Sequence, residues 1–276
     1  MEAGVTVSFF GVRGSTPCHC TSMTRFGGNT SCVVIEREGE APIVCDSGTG
    51  LRFYGLDRAE ETFDGTILIS HLHWDHVQGL PFFPQILDPN STPSIYGPAE
   101  DSMSFAEALG GIVRPPYFPV DLDTLPGDIQ INDFDNESIS IGSATVTARP
   151  VPHSGHTNGY RIEWPDFCVA YIPDHQEPDD GVSIADGVRD LVDGVDLLIH
   201  DAQFTPDLLS KRQDWGHCTP RYAVHVAETC GASELAMFHH DPLHSDDTVD
   251  GLVAEARTQS ENCKVLGAAE GLKLSY

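Results

Sequence analysis

The sequence predicts an α/β fold, with layers of strands and helices packed in one domain over residues 1–276. Three observations predict it. Short apolar runs bounded by Gly, Pro, Asn or Asp recur in both halves of the chain, helix signals fall between the later runs, and no Gly/Ser-rich linker interrupts them. At 276 residues the chain is also long enough to bury a substantial core without disulfides.

In chain order, strands are expected at Val5 to Phe10, Ser31 to Glu36, Ile43 to Cys45 and Thr66 to Ser70, where apolar residues alternate or run together. A short helix is expected after His76. Pro81-Phe82-Phe83-Pro84 and Pro115-Pro116-Tyr117-Phe118-Pro119 are rich in proline and aromatics, and residues 85–135 read as a lid or cover insertion. Strands resume around Ser138 to Arg149, then at Gly159 to Glu163, Cys168 to Ile172, Leu197 to His200 and Leu235 to Phe238. Pro220 to Cys230 reads as a helix with Thr219 as N-cap, Pro220 at N1 and Gly231 past its end. Val249 to Thr258 is expected to form another.

Charge narrows the function. Fifteen Lys+Arg against 42 Asp+Glu leave a net charge of −27, which repels long polyanions at low salt and disfavours a dedicated tRNA or DNA binder. The same acidity suits a high-salt cytoplasm or simple solubility. Eight Cys without a regular spacing do not resemble a secreted disulfide scaffold, so a reduced cytoplasm is the expected location. Met1-Glu2-Ala3, opening the segment to Phe10, has an acidic residue where a signal peptide needs Lys or Arg. No apolar run reaches a membrane-spanning length, and no membrane partner is expected.

The strongest chemical signal is His71-Leu72-His73-Trp74-Asp75-His76, directly after an apolar strand. Three imidazoles and a carboxylate within six positions supply borderline-soft N and O ligands where a buried strand emerges into a loop. One metal cannot easily use all four. The extended part directs His71 and His73 to one side and the turn at Asp75 directs Asp75 and His76 to another, which suits two ions roughly 3.5–4 Å apart.

This His-x-His-x-Asp-His phrase resembles the signature of the metallo-β-lactamase superfamily, whose fold is an αββα sandwich: two mixed β-sheets flanked by helices, with a metal site at one edge. The resemblance implies further ligands in chain order. Asp46 in Val44-Cys45-Asp46-Ser47-Gly48 resembles the early Asp that supports the His loop. His153 in Val151-Pro152-His153-Ser154-Gly155 resembles the third ligand of the first metal, Asp174 the bridging carboxylate, and His239 the last ligand of the second metal. His156 competes with His153 for its place, and His240 with His239.

His200-Asp201-Ala202-Gln203 and Gly216-His217-Cys218-Thr219 resemble the His-Glu-Ala-Thr and Gly-His-Ser-Thr phrases of the ribonuclease Z and PhnP-like phosphodiesterase branch. The opening, Phe9-Phe10-Gly11-Val12-Arg13-Gly14-Ser15-Thr16-Pro17 with Phe26-Gly27-Gly28-Asn29-Thr30-Ser31-Cys32, resembles a phrase common in its bacterial hydrolases. The branch implies His217 as general acid, Asp201 as its orienter and Asp75 as a ligand that also orients the nucleophile. This chain departs from the pattern with Asp at 201, Gln at 203 and Cys at 218, and the shorter carboxylate is expected to loosen that relay. Arg13 and Asn29 are read as structural rather than pocket-facing. PhnP-like enzymes can hold an extra zinc on nearby cysteines; Cys18-His19-Cys20 has Met23 where a third Cys is wanted, so ordinary loop cysteines are expected. Cys218 needs no thiolate role beside a metal-activated water.

The implied activity is hydrolysis of phosphodiesters with two Zn2+ per chain, Mn2+ or Fe2+ being alternatives, in an assembly that family analogy makes a homodimer. Relatives that process tRNA 3′ ends commonly carry a basic arm between the third-ligand and bridging-Asp phrases, and here that interval is short. Small phosphodiesters such as cyclic nucleotides are therefore the expected substrate, with Phe82, Phe83, Tyr117 and Phe118 in the cover that would select them. The alternatives are a tRNA 3′-processing endonuclease, a hydrolase of thioesters, lactones or sulfate esters, and a metal-containing ligand-binding module without turnover.

Overall fold

The computed structural model describes residues 4–100 and 102–276; Met1–Ala3, part of the segment read above for a leader signal, lie outside the described residues. Two seven-stranded sheets face each other. The first is built from β1 (Val5–Gly11), β2 (Cys32–Arg37), β3 (Ile43–Cys45), β4 (Thr66–Leu68), β5 (Ser94–Gly97) and β6 (Gln130–Asp133). The second runs through β7 (Ser138–Ile141), β8 (Ala144–Pro150), β9 (Asn158–Trp164), β10 (Phe167–Ile172), β11 (Leu197–Asp201), β12 (Glu234–Phe238) and β13 (Lys264–Gly267). The last strand, β14 (Lys273–Ser275), returns to pair antiparallel with β1.

Each sheet is mixed. From β14 to β3, and from β7 to β10, neighbours are antiparallel; β3 to β6 and β10 to β13 are parallel. Parallel neighbours need crossovers, and helices supply them. These are α1 (Gly50–Asp57), α2 (Trp74–Val77) and α3 (Phe105–Ile112) in the first half, then α4 (Asp186–Val192), α5 (Pro206–Lys211), α6 (Pro220–Cys230) and α7 (Asp246–Gln259) in the second. The helix expected after His76 begins two residues before it, so that Asp75 and His76 lie within its single turn.

Three apolar layers follow from this order. Val7, Phe9, Ile35, Val146, Ile162 and Phe238 fill the space between the sheets. Leu51, Tyr54, Phe83, Ile95 and Phe105 pack outside the first, and Val188, Leu191, Tyr222, Val226, Val249 and Val253 outside the second. The αββα sandwich expected from the resemblance is the fold. One boundary needs correction: residues 85–135 are not all cover, because β5 and β6 lie within them and extend the first sheet by parallel pairing, Ile95 with Ile67 and with Ile131. The chain between those strands, with α3, leaves the sheet, as does the stretch before β5.

Candidate metal centre

The site grows from strand ends. Asp46 follows β3, the His71-to-His76 phrase follows β4, His153 follows β8, Asp174 follows β10, Asp201 ends β11 and His239 follows β12. All are C-terminal ends, where open α/β sheets present their ligand sites. Asp46 and His239 take left-handed backbone with φ of 60° and 58°, as does Ser15 with φ of 64°. Such strain costs about 1–3 kcal/mol each and persists where surrounding structure fixes it.

Two groups of donors share one carboxylate. Asp174 Oδ2 lies 3.8 Å from His71 Nε2 and 3.5 Å from His153 Nε2, while its Oδ1 lies 3.1 Å from His76 Nε2 and 3.3 Å from His239 Nε2. His73 Nδ1 joins the first side, 2.8 Å from His71 Nε2 and 3.3 Å from His153 Nε2. Asp75 Oδ2 joins the second, 3.0 Å from His239 Nε2 and 3.3 Å from His76 Nε2. His217 packs its ring against both His153 and His239.

Both competing histidines lie apart. His156 pairs with Asp135 at 3.0 Å, and buried His240 donates from Nε2 to Ala268 O at 2.8 Å.

A further ring of groups holds the imidazoles from behind. His76 Nδ1 meets Asp46 Oδ2 at 2.6 Å, His153 Nδ1 meets Gly216 O at 2.6 Å, His71 Nδ1 meets Ser70 Oγ at 3.0 Å and His239 Nδ1 meets Gln203 Oε1 at 2.8 Å. Asp46 also accepts from Ser70 N and Oγ and from Tyr171 OH across the two sheets. Gln203, one of the departures from the branch pattern, thus supplies the oxygen that orients His239, and its Nε2 donates to Ser15 Oγ at 3.2 Å. Ser15 N donates to Asp75 Oδ2 at 2.6 Å. Ser15 lies in the opening phrase, but its contact with Asp75 and the part played by Tyr171 have no signal in the sequence, since a backbone N–H and a core tyrosine look the same with or without a site beside them.

The donor set suits a divalent cation. Buried His76 Nε2 and Asp174 Oδ1 lie 3.1 Å apart as an ion pair but make no well-aligned hydrogen bond, a costly arrangement unless something beside them satisfies both. Burial holds His71, His73 and His153 below the usual histidine range, with neighbouring histidines adding to the effect, so they stand neutral as ligands must. Burial works against the charged forms of Asp75, Asp174 and His76 as well. The surrounding histidines nonetheless keep both carboxyls well below their usual range, and Asp75, Asp174 and Asp46 hold His76 well above its own. Opposite charges so tightly confined are what a cation would replace.

His217 sits on a loop built for it. Its Nδ1 meets Asp201 Oδ2 at 2.9 Å, and Asp201 in turn accepts from Gln203 N and His175 N. Burial alone lowers the affinity of His217 for its proton, but Asp201 and then Asp174 reverse this and raise it above the ordinary value. Gly216 has φ of 88°, and a Cβ there would stand 2.2 Å from His153 Nδ1, so only glycine lets the loop approach that imidazole. Gln176 Oε1 accepts from Gly216 N, and Glu177 Oε2 from Thr219 N and Oγ1. Cys218 is buried with its thiol pushed well up by burial, which leaves it protonated.

Other candidates divide. Arg13 is fully buried and donates to Gly27, Asp241 and His244 carbonyls, while Asn29 bonds Glu270 and Thr49. Both are structural. Phe83 is core, whereas Phe82 is exposed and meets Phe118 edge-on at 5.9 Å, with Tyr117 also exposed. Among the described residues, no group of three metal donors includes Cys18 or Cys20.

Known proteins share this architecture. A family model described as the beta-lactamase superfamily domain matches residues 43–240, from β3 to just past the last histidine of the centre. Ribonuclease Z of Natronomonas pharaonis is 25% identical, the match covering 87% of this chain and 88% of the relative. The metallo-beta-lactamase fold protein YhfI from Bacillus subtilis superposes with a TM-score of 0.76 at 21% identity, over 100% of both chains. A diphosphatase from the PhnP family superposes with a TM-score of 0.71 at 21% identity, over 99% of this chain and 98% of that one. These two structures establish the fold, and the family model extends over both halves of the histidine–aspartate centre. The chain belongs to the beta-lactamase superfamily, as a metal-dependent hydrolase of the metallo-β-lactamase fold.

Proposed function

We propose that this hydrolase is a phosphodiesterase that uses two divalent cations, most simply zinc, on small phosphodiesters such as cyclic nucleotides. The observation that carries the reading is the Asp174 carboxylate, with one oxygen toward His71 and His153 and the other toward His76 and His239. His71, His73 and His153 would hold one ion, Asp75, His76 and His239 the second, and Asp174 both. Bound there, such a pair supplies Lewis acidity toward phosphoryl oxygens and a water acidic enough to act as nucleophile near neutral pH.

The remaining work belongs to side chains. Asp75, held by Ser15 N, fixes the second half of the centre and the direction of attack. His217, anchored through Nδ1 to Asp201, is free to present Nε2 to the departing alkoxide and protonate it. The ribonuclease Z relatives and the PhnP-family diphosphatase support phosphate-ester chemistry over thioesters, lactones or sulfate esters.

The ribonuclease Z relatives also favour a second reading, processing of tRNA 3′ ends. Two facts weigh against it. The interval between His153 and Asp174 is taken up by the hairpin of β9 and β10, and the net charge of −27 opposes a polyanion.

Assay of zinc-loaded protein against bis(p-nitrophenyl) phosphate, 2′,3′- and 3′,5′-cyclic nucleotides, a tRNA precursor, a lactone and a thioester tests the proposal. Cyclic nucleotides should give the highest kcat/KM. Preference for the tRNA precursor would replace this reading with the second, and inactivity on every compound with metal bound would make the chain a binding module.

A further inference from the structure

The chain has three tryptophans, and only Trp164 is buried, at 4% exposure. Trp74 and Trp215 are 58% and 59% exposed, a poor use of the largest apolar side chain unless something covers it. Both are next to the centre. Trp74 stands between His73 and Asp75 in sequence, and Trp215 immediately precedes Gly216, whose carbonyl holds His153. His73 is the exposed member of the donor set and lies 3.3 Å from His153, so the centre meets solvent beside the turn that carries Trp74, near the loop whose Gly216 carbonyl holds His153.

Trp215 is also braced. The Arg212 guanidinium lies 4.6 Å from its ring centroid and 5.8 Å from that of Phe204, and Asp241 holds the same guanidinium at 3.6 Å. Phe204 is buried against His217 at 5.1 Å between rings. An exposed tryptophan steadied by an arginine that also lies over Phe204, the ring packed on the expected general acid, is an aromatic platform at a phosphodiester site. Trp74 offers a second one beside His73, on a single helical turn that also carries Asp75 and His76.

We propose that Trp215 and Trp74 form a base-stacking subsite, and that the substrate is a phosphodiester bearing a nucleobase rather than a sugar or glycerol phosphodiester. Arg212 is a positioning residue that acts through Trp215. The inference rests on the phosphodiesterase reading and names its substrate class. Stacking is tolerant of base identity because every base has a π-face, so purine and pyrimidine nucleotides are both accepted, purines better for their larger ring.

The test is the ratio of kcat/KM for 2′,3′-cyclic AMP to that for glycerol 1,2-cyclic phosphate, which lacks a base. Stacking losses seen on alanine substitution correspond to about tenfold or more, so Trp215→Ala and Trp74→Ala should each lower the ratio by about that factor. Trp215→Phe should recover most of it, and Arg212→Ala should lower it less than Trp215→Ala. An unchanged ratio in both alanine variants overturns the subsite. AMP binding to the zinc-loaded wild type, read by quenching of tryptophan fluorescence, separates this failure from that of the phosphodiesterase reading. Quenching that weakens in Trp215→Ala without hydrolysis of any phosphodiester sustains the platform and overturns the activity. Hydrolysis of both diesters without quenching does the reverse.

Discussion

At the scale of single residues, the centre separates groups that would bind metal from groups that aim them, and the two kinds should fail differently. His217 leans on Asp201 rather than on the shared Asp174, at 2.9 Å against 3.8 Å, so its removal should spare the ions. In His217→Ala, turnover of a cyclic phosphodiester should fall by about 10²–10⁴-fold, with metal content by elemental analysis near two per chain; loss of metal would make His217 a ligand instead. Asp46 has the opposite profile. It touches no position in the donor groups except through His76 Nδ1, yet it gathers Ser70, Tyr171 and His76 in a fully buried spot. Asp46→Asn replaces one accepting oxygen by a donor, and groups that orient metal ligands are worth about 10–100-fold in metal affinity. Competition with a chelator should show that loss, and unchanged affinity would remove Asp46 from the architecture of the centre.

At the scale of elements, α6 shows how a local signal fixes a functional loop. Thr219 Oγ1 accepts from Tyr222 N at 3.2 Å while donating to Glu177 Oε2, so one hydroxyl caps the helix and ties it to the loop after β10. Thr219→Ala should cost about 1 kcal/mol in denaturant unfolding, and Thr219→Ser, which keeps the hydroxyl, much less. This cap was readable in the sequence because Thr-Pro before an apolar-periodic run is a start signal with a mechanism. The same holds for β10, whose apolar run Phe167 to Ile172 is buried on both faces. Elements without such signals were not readable. The helix α1 is short, holds two glycines and has no side-chain cap. The edge strands β13 and β14 each open on an exposed lysine. The strands β5 and β6 take their place from parallel pairing, β5 with β4 and β6 with β5, over distances that no local pattern records. For the site, ligand types at strand ends carry their chemistry in their spelling. The groups behind them are set by tertiary approach, as where Gly79 must be glycine because a Cβ would lie 1.9 Å from Gly48 O.

At the scale of the whole molecule, the charge imbalance sets how stability responds to salt. Several of the few cations are already engaged, among them Arg25 with Asp247, Arg37 with Asp166, Arg58 with Glu36 and Lys264 with Glu234. Pairing them leaves the acidic excess of −27 facing itself across the surface. Added salt therefore does two opposing things. It weakens exposed ion pairs, each worth only about 0–1 kcal/mol, and it screens the repulsion of the surplus carboxylates as the Debye length contracts from about 10 Å at 0.1 M to about 3 Å at 1 M. Many unpaired like charges against few exposed pairs makes repulsion the larger effect. The melting temperature of the metal-loaded protein should rise steadily from 0.1 to 1 M KCl, and at low salt a drop in pH that protonates surface carboxylates should first raise it too. A melting temperature that falls with KCl would mean that the ion pairs outweigh the repulsion, and that the acidic surface carries no salt-dependent cost to the fold.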